Sequence, residues 1–179
     1  GNGTLTLNAS SQIDLAGVVS ASNVSQLNLV SGGDIRFLNN NDPDISAYLA
    51  GIVYAPASGY ALTSSGDGGM PSVGALLVPD NLTLTAREVY PATDTAFLLM
   101  SLGLGSGSGT HNTISFASNG ATPTAPLSAN GAILVDAKNI VQSGALYAPL
   151  GTIQLGYGPG QTLPAIFLGS ANDTGSNAY

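Results

Sequence analysis

Cysteine and tryptophan are absent from the 179 residues, and basic side chains nearly so: 3 lysines and arginines stand against 10 aspartates and glutamates, a net charge of -7. Without cysteine there is no disulfide framework, no thiolate zinc site and no cysteine nucleophile. Arg36, Arg87 and Lys138 lie far apart in the sequence, so no basic footprint exists for a phosphate backbone, and the acidic balance repels one. Nucleic acid is therefore excluded as a partner. Long apolar runs are missing too, since the longest, Ala96 to Met100, falls far short of the roughly 20 residues that a membrane-spanning helix needs. No window of three turns places apolar residues at i, i+3, i+4 and i+7, so helices are not expected. The sequence has no initiating methionine and no basic stretch leading into an apolar one, and is expected to be a fragment of a much longer chain.

What is present is small and turn-forming. The 24 glycines, 20 serines, 14 threonines and 14 asparagines make up about two fifths of the chain, while 44% is hydrophobic and 7% charged. Chains held open by charge lack apolar residues, and this one has them in quantity, so it folds.

The apolar residues recur with period two. Leu5-Thr6-Leu7-Asn8-Ala9, Leu27-Asn28-Leu29, Ile35-Arg36-Phe37, Leu82-Thr83-Leu84-Thr85-Ala86, Ile114-Ser115-Phe116, Ile133-Leu134-Val135-Asp136-Ala137 and Ile153-Gln154-Leu155 all alternate, which puts one face inward and the other outward. Leu84, Ile133, Val135 and Ile153 are expected inside, with Thr83, Thr85 and Gln154 outside. Val53-Tyr54-Ala55-Pro56 is echoed by Leu146-Tyr147-Ala148-Pro149, where proline ends a strand and starts a corner. The phrases starting at 5 and 27, at 114 and 133, and at 133 and 153 lie about 20 residues apart, a period that signals a solenoid. Such coils cannot bury an inward face alone, so they stack in parallel around one long core. A single all-β solenoid over 1–179, of about seven or eight coils, is the expected architecture. The rival is a β-sandwich, but Asn119-Gly120, Asn130-Gly131 and Asp67-Gly68 do not join two alternating runs as hairpin turns would. Loop excursions are expected at 39–48, 64–72 and 103–112, where asparagine, glycine and serine interrupt the pattern.

Gly3-Thr-Leu-Thr-Leu-Asn-Ala, Gly33-Asp-Ile-Arg-Phe, Asp80-Asn-Leu-Thr-Leu-Thr-Ala-Arg-Glu-Val-Tyr-Pro, Gly131-Ala-Ile-Leu-Val-Asp-Ala-Lys-Asn-Ile and Ala148-Pro-Leu-Gly-Thr-Ile-Gln-Leu resemble the filamentous haemagglutinin-like large exoproteins of bacterial two-partner secretion. The resemblance spans most of the chain and concerns the rod of such proteins, not their amino-terminal secretion module. It implies a right-handed parallel β-helix within a long rod, exported through an outer-membrane partner transporter and displayed or released at the bacterial cell surface, often as an adhesin.

Catalytic chemistry finds little footing. Right-handed β-helices also host polysaccharide lyases and hydrolases, which need grouped carboxylates with a basic residue on one outer face. Asp34 with Arg36 and Asp136 with Lys138 are the best candidates, each pair two residues apart and so on one side of its strand; the plain reading is an exposed ion pair within each. His111 is the only histidine and has no partner at a defined spacing. Gly103 to Gly109 never spells a phosphate-binding loop. Asp42, Asp44 and Asp67 could offer oxygens to calcium, but such clusters are turn formers first. The sequons at Asn8, Asn23, Asn81 and Asn172 arise readily in so Asn- and Ser-rich a chain. No catalytic, metal or cofactor residues are therefore assigned. Among Tyr54, Tyr60, Tyr90, Tyr147 and Tyr157, an aromatic strip beside prolines could stack on sugar rings, although corner packing explains them as well; Tyr54, Tyr147 and Tyr157 are the candidate surface contacts.

The functional expectation is a non-enzymatic structural and adhesive rod segment, secreted or at the bacterial surface, meeting host or bacterial glycans or proteins and associating end to end through uncovered terminal coils. The alternatives are a self-assembling extracellular filament subunit and a polysaccharide-active β-helix enzyme of the pectin-lyase type.

Overall fold

The computed structural model describes residues 3–38, 72–101 and 113–156. Strands take up 64% of these residues and none is helical, so the architecture is all-β. The strands are β1 (Gly3–Ala9), β2 (Gln12–Ala16), β3 (Val18–Ser20), β4 (Val24–Ser31), β5 (Asp34–Leu38), β6 (Ser72–Val78), β7 (Asn81–Ala86), β8 (Val89–Pro91), β9 (Thr95–Ser101), β10 (Thr113–Ser118), β11 (Ala132–Asp136), β12 (Asn139–Gln142) and β13 (Thr152–Leu155).

They form three sheets, ordered β1-β4-β7-β10-β12, β2-β5-β8 and β3-β6-β9-β11-β13, and every pairing within them is parallel. The chain visits the sheets in rotation, so like meets like only after a full pass. A hairpin sandwich would pair sequential strands antiparallel, and none is seen among the described residues.

In-register stacking turns period two into apolar ladders. On the first sheet Leu5, Leu27, Leu82, Ile114 and Ile140 align, and beside them Leu7, Leu29, Leu84 and Phe116. Leu29, Leu82, Leu84, Ile114 and Phe116 are each at most 1% exposed, and such burial stabilises by about 1.5–3 kcal/mol per side chain. The second sheet contributes Ile35 and Phe37, the third Phe97, Leu99, Ile133 and Val135. Phe37 and Phe97 stack across the interior with ring centroids 4.3 Å apart and planes 8° from parallel.

The outer faces differ in kind. That of the first sheet is uncharged and largely polar: Thr6, Asn28, Thr83 and Ser115 share one row, which ends at the exposed Val141, and Asn28 Nδ2 donates to Thr6 Oγ1 (3.1 Å) and Gln26 Nε2 to Thr83 Oγ1 (3.1 Å). That of the third sheet is apolar. Leu98 (3% exposed), Met100 (2%) and Leu134 (1%) alternate with core residues yet are themselves buried, so β9 is buried along its whole length and reads as a continuous apolar run.

Three expectations change here. The spacing from 114 to 133 is not one coil: Ile114 pairs with Leu82 and Ile140 on the first sheet, Ile133 with Phe97 and Ile153 on the third. Ile153 lies in the inward ladder but is 39% exposed, because β13 is the last strand of its sheet. Ser72, placed in a loop by its neighbours, begins β6; the other loop positions expected at 39–48, 64–71 and 103–112 lie outside the described residues.

Candidate functional site

The charged residues gather on the short second sheet. Its inward residues are Ile13, Leu15, Ile35, Phe37 and Val89, which turns Asp14, Arg36 and Tyr90 outward in one row, Asp14 opposite Arg36 and Arg36 opposite Tyr90. Asp34 occupies the outward position two residues before Arg36, opposite Gln12.

The partners of Asp34 and Arg36 are not those the sequence suggests. Arg36 does not bridge to Asp34; it clasps Asp14 on the preceding strand, Nε to Oδ1 and Nη2 to Oδ2, both at 2.9 Å. Asp34 instead accepts both N–H groups of Arg87, again at 2.9 Å twice, and is 7% exposed, not the solvated charge expected. Arg36 thus staples β5 to β2, 22 residues away, and Arg87, in the turn between β7 and β8, reaches Asp34 on β5, 53 residues away. The planar fork of guanidinium suits this bidentate grip. Hydrogen bonding from Arg36 holds the Asp14 carboxyl below its ordinary range and raises the guanidinium in turn; the same bond to Asp34 raises Arg87. Burial, reinforced by the Asp34 and Glu88 charges, raises the Tyr90 phenol, with Arg36 opposing.

Glu88, unremarked in the sequence reading, is 1% exposed. Its carboxylate accepts the Thr124 N–H at 2.9 Å and the Thr124 hydroxyl at 3.2 Å, with Arg87 Nη2 at 3.7 Å. Thr124 belongs to a segment, 119–131, that forms no strand and does not join this sheet. The reason is proline. Pro123 and Pro126 lie in it, and a residue without an N–H cannot extend a ladder; its far end is held by Asp94 N–H to Ala129 O (3.1 Å) and Asn130 Nδ2 to Asp94 Oδ1 (2.8 Å). The following pass closes the gap: Val89 N–H donates to Ala145 O (2.9 Å) and Tyr147 N–H to Val89 O (3.0 Å), a parallel bridge between Val89 and Leu146. The segment is pinned at its start as well, by Asn119 Nδ2 to Ser31 O (3.0 Å) and Gly32 O (3.1 Å).

That bridge places Tyr147 next to Tyr90, extending the outward row to Asp14, Arg36, Tyr90 and Tyr147. Both tyrosines are half-buried. Of the three candidate surface contacts, Tyr147 is therefore positioned on this sheet, whereas Tyr54 and Tyr157 lie outside the described residues, as do Tyr60, His111, Asp42, Asp44 and Asp67. Asp136 ends β11 on the third sheet, so it and Asp34 do not share a face. Among the described residues no three His, Cys, Asp or Glu side chains gather as a metal ion would require. The row holds a bidentate charge pair and two adjacent phenols. Comparison of the chain with family models, with curated proteins and with solved structures finds no match.

Proposed function

We propose that the chain is a structural and adhesive segment of a right-handed β-helical rod, part of a secreted bacterial surface exoprotein of the filamentous haemagglutinin-like kind, exported through an outer-membrane partner. The observation that carries the reading is the rotation of the chain through three parallel sheets in register, with apolar ladders inside and ion pairs spent on stapling one pass to the next. Such a body gains length and stiffness from each added pass without disulfides. The outer face of its first sheet is largely polar and that of its second charged and aromatic, suited to contact with cells, glycans or sister rods.

The test is made on the source cell. An antibody raised against this chain should label intact cells or their medium, the signal should vanish on mild surface proteolysis, and immunoblotting should reveal a parent polypeptide several times longer than 179 residues. Antigen confined to the cytosol would overturn the reading.

A further inference from the structure

We propose that the outward row of Arg36, Tyr90 and Tyr147 is a binding strip for a neutral polysaccharide chain lying across the strands of the second sheet. This deepens the adhesive reading above and rests on it.

The row is built by register. Val89 and Leu146 point into the core, so alternation turns Tyr90 and Tyr147 outward on neighbouring strands, with Arg36 next in line. Adjacent parallel strands are about 4.8 Å apart, which makes the row from Asp14 to Tyr147 about 14 Å long, room for about three pyranose rings end to end. Rings repeating at this interval suit a ligand that also repeats. A phenol offers an apolar face to the C–H side of a sugar and a hydroxyl to its rim. Arg36 supplies planar donors for sugar hydroxyls, and its bidentate hold on Asp14 (2.9 Å twice) fixes their direction.

Charge decides the class of sugar. The face carries three carboxylates, Asp14, Asp34 and Glu88, against two guanidinium groups, and both arginines are already engaged by carboxylates. An acidic polysaccharide would find no free cation there and a surplus of like charge. A neutral one meets no such cost. The strip is also rigid before any ligand arrives, because backbone bonds to Val89 set the neighbouring tyrosine and Glu88 holds the flanking segment at Thr124, so little ordering accompanies binding.

The test is titration of the full chain with cellohexaose, laminarihexaose, mannohexaose and chitohexaose, and separately with alginate and heparin oligosaccharides, followed by calorimetry and tyrosine fluorescence. At least one neutral hexasaccharide should bind, and Tyr90→Leu and Tyr147→Leu should each weaken it tenfold or more. Leucine keeps an apolar, strand-compatible side chain while removing the ring, and an unchanged circular dichroism spectrum confirms folding. Tyr147→Phe, which keeps the ring, should retain most of the binding, and Thr83→Ala on the first sheet should change nothing. The proposal is overturned if no neutral probe binds, if an acidic probe binds more tightly, or if loss of both rings leaves affinity intact. Surface display of the parent is read independently. A displayed parent without sugar binding sinks the strip alone, and a cytosolic parent sinks the rod whatever binds.

Discussion

Leu150 shows how much the corners of this fold ask of single residues. Asp94, Asn130 and Leu150 have φ of 54°, 57° and 53° and stack at the same corner, Asn130 donating its side-chain amide to Asp94 and its backbone N–H to Pro149 O of the next level at 3.1 Å. Aspartate and asparagine visit the left-handed region readily; leucine does so at a cost of about 1–2 kcal/mol. It is also 90% exposed, so burial returns nothing. The neighbouring Gly151 is needed for close approach, since a β-carbon there would run into the Gly131 carbonyl. Leu150→Asn should stabilise the protein by about 0.5–1 kcal/mol, read as a higher midpoint in urea with an unchanged slope. A lower midpoint would mean that the leucine makes a contact its exposure does not reveal. The second residue-scale prediction concerns Asp14. Its pKa is lower folded than unfolded, so its contribution is present above the unfolded value of about 3.9 and is lost as pH falls through the folded one. Because both partners of the Arg36 pair are about a third exposed, the contribution is small, up to about 1 kcal/mol. Asp14→Asn should lower stability by up to about 1 kcal/mol at neutral pH and converge with the parent below about pH 4, flattening the acid loss, as urea midpoints across pH would show.

At the scale of the strand, burial is set by position in the stack as much as by side-chain type. Ile133 is fully buried on β11, one strand in from the edge of the third sheet, and Ile153, its neighbour in the same ladder, is 39% exposed on the edge strand itself. Ile133→Ala should cost about 2–5 kcal/mol, Ile153→Ala clearly less, and Thr83→Ala no more than about 0.5 kcal/mol; equal losses at 133 and 153 would mean that the edge is covered. This contrast also marks how far the sequence could be read. Period two located β1, β4, β5, β7, β10 and β13, because one of their faces is polar or less buried; β11 was found by its likeness to β7, although both of its faces are buried. Period two passed over β6 and β9, whose outward Leu98 and Met100 are as buried as the core; with both faces apolar the alternation vanishes. It set Ile114 and Ile133 one coil apart because similar phrases serve different sheets. The site was legible only in pieces. Tyr147 stood out through its proline corner, but Asp34 and Arg36 were given to each other when their partners are 53 and 22 residues away. Those partners are set by the number of residues in each pass, which carries no periodic signal. Glu88 gave no warning because its burial is created by a segment 36 residues downstream.

For the molecule as a whole, the open question posed by parallel stacking is what happens at its ends. Closed sheets have no edges, and hairpin proteins often guard theirs with charge, proline or a bulge. Here β1 and β13 are terminal strands whose inward residues remain uncovered: Leu5 and Leu7 are 42% and 48% exposed, Ile153 and Leu155 39% and 44%. No charged residue interrupts either strand. The pattern at one end continues that at the other, since Leu5 already shares a ladder with Ile140 through three intervening strands. Two copies meeting head to tail would repeat the contact made inside each, a heterologous association that need not stop at two. The 179-residue chain is therefore expected to lengthen with concentration, its sedimentation coefficient rising and fibres of constant width appearing under the electron microscope. Leu5→Lys with Leu7→Lys should abolish growth while leaving the β-rich circular dichroism spectrum intact, because the charges fall on an edge already exposed to water. A monodisperse monomer at every concentration would show instead that the ends are protected by the chain itself.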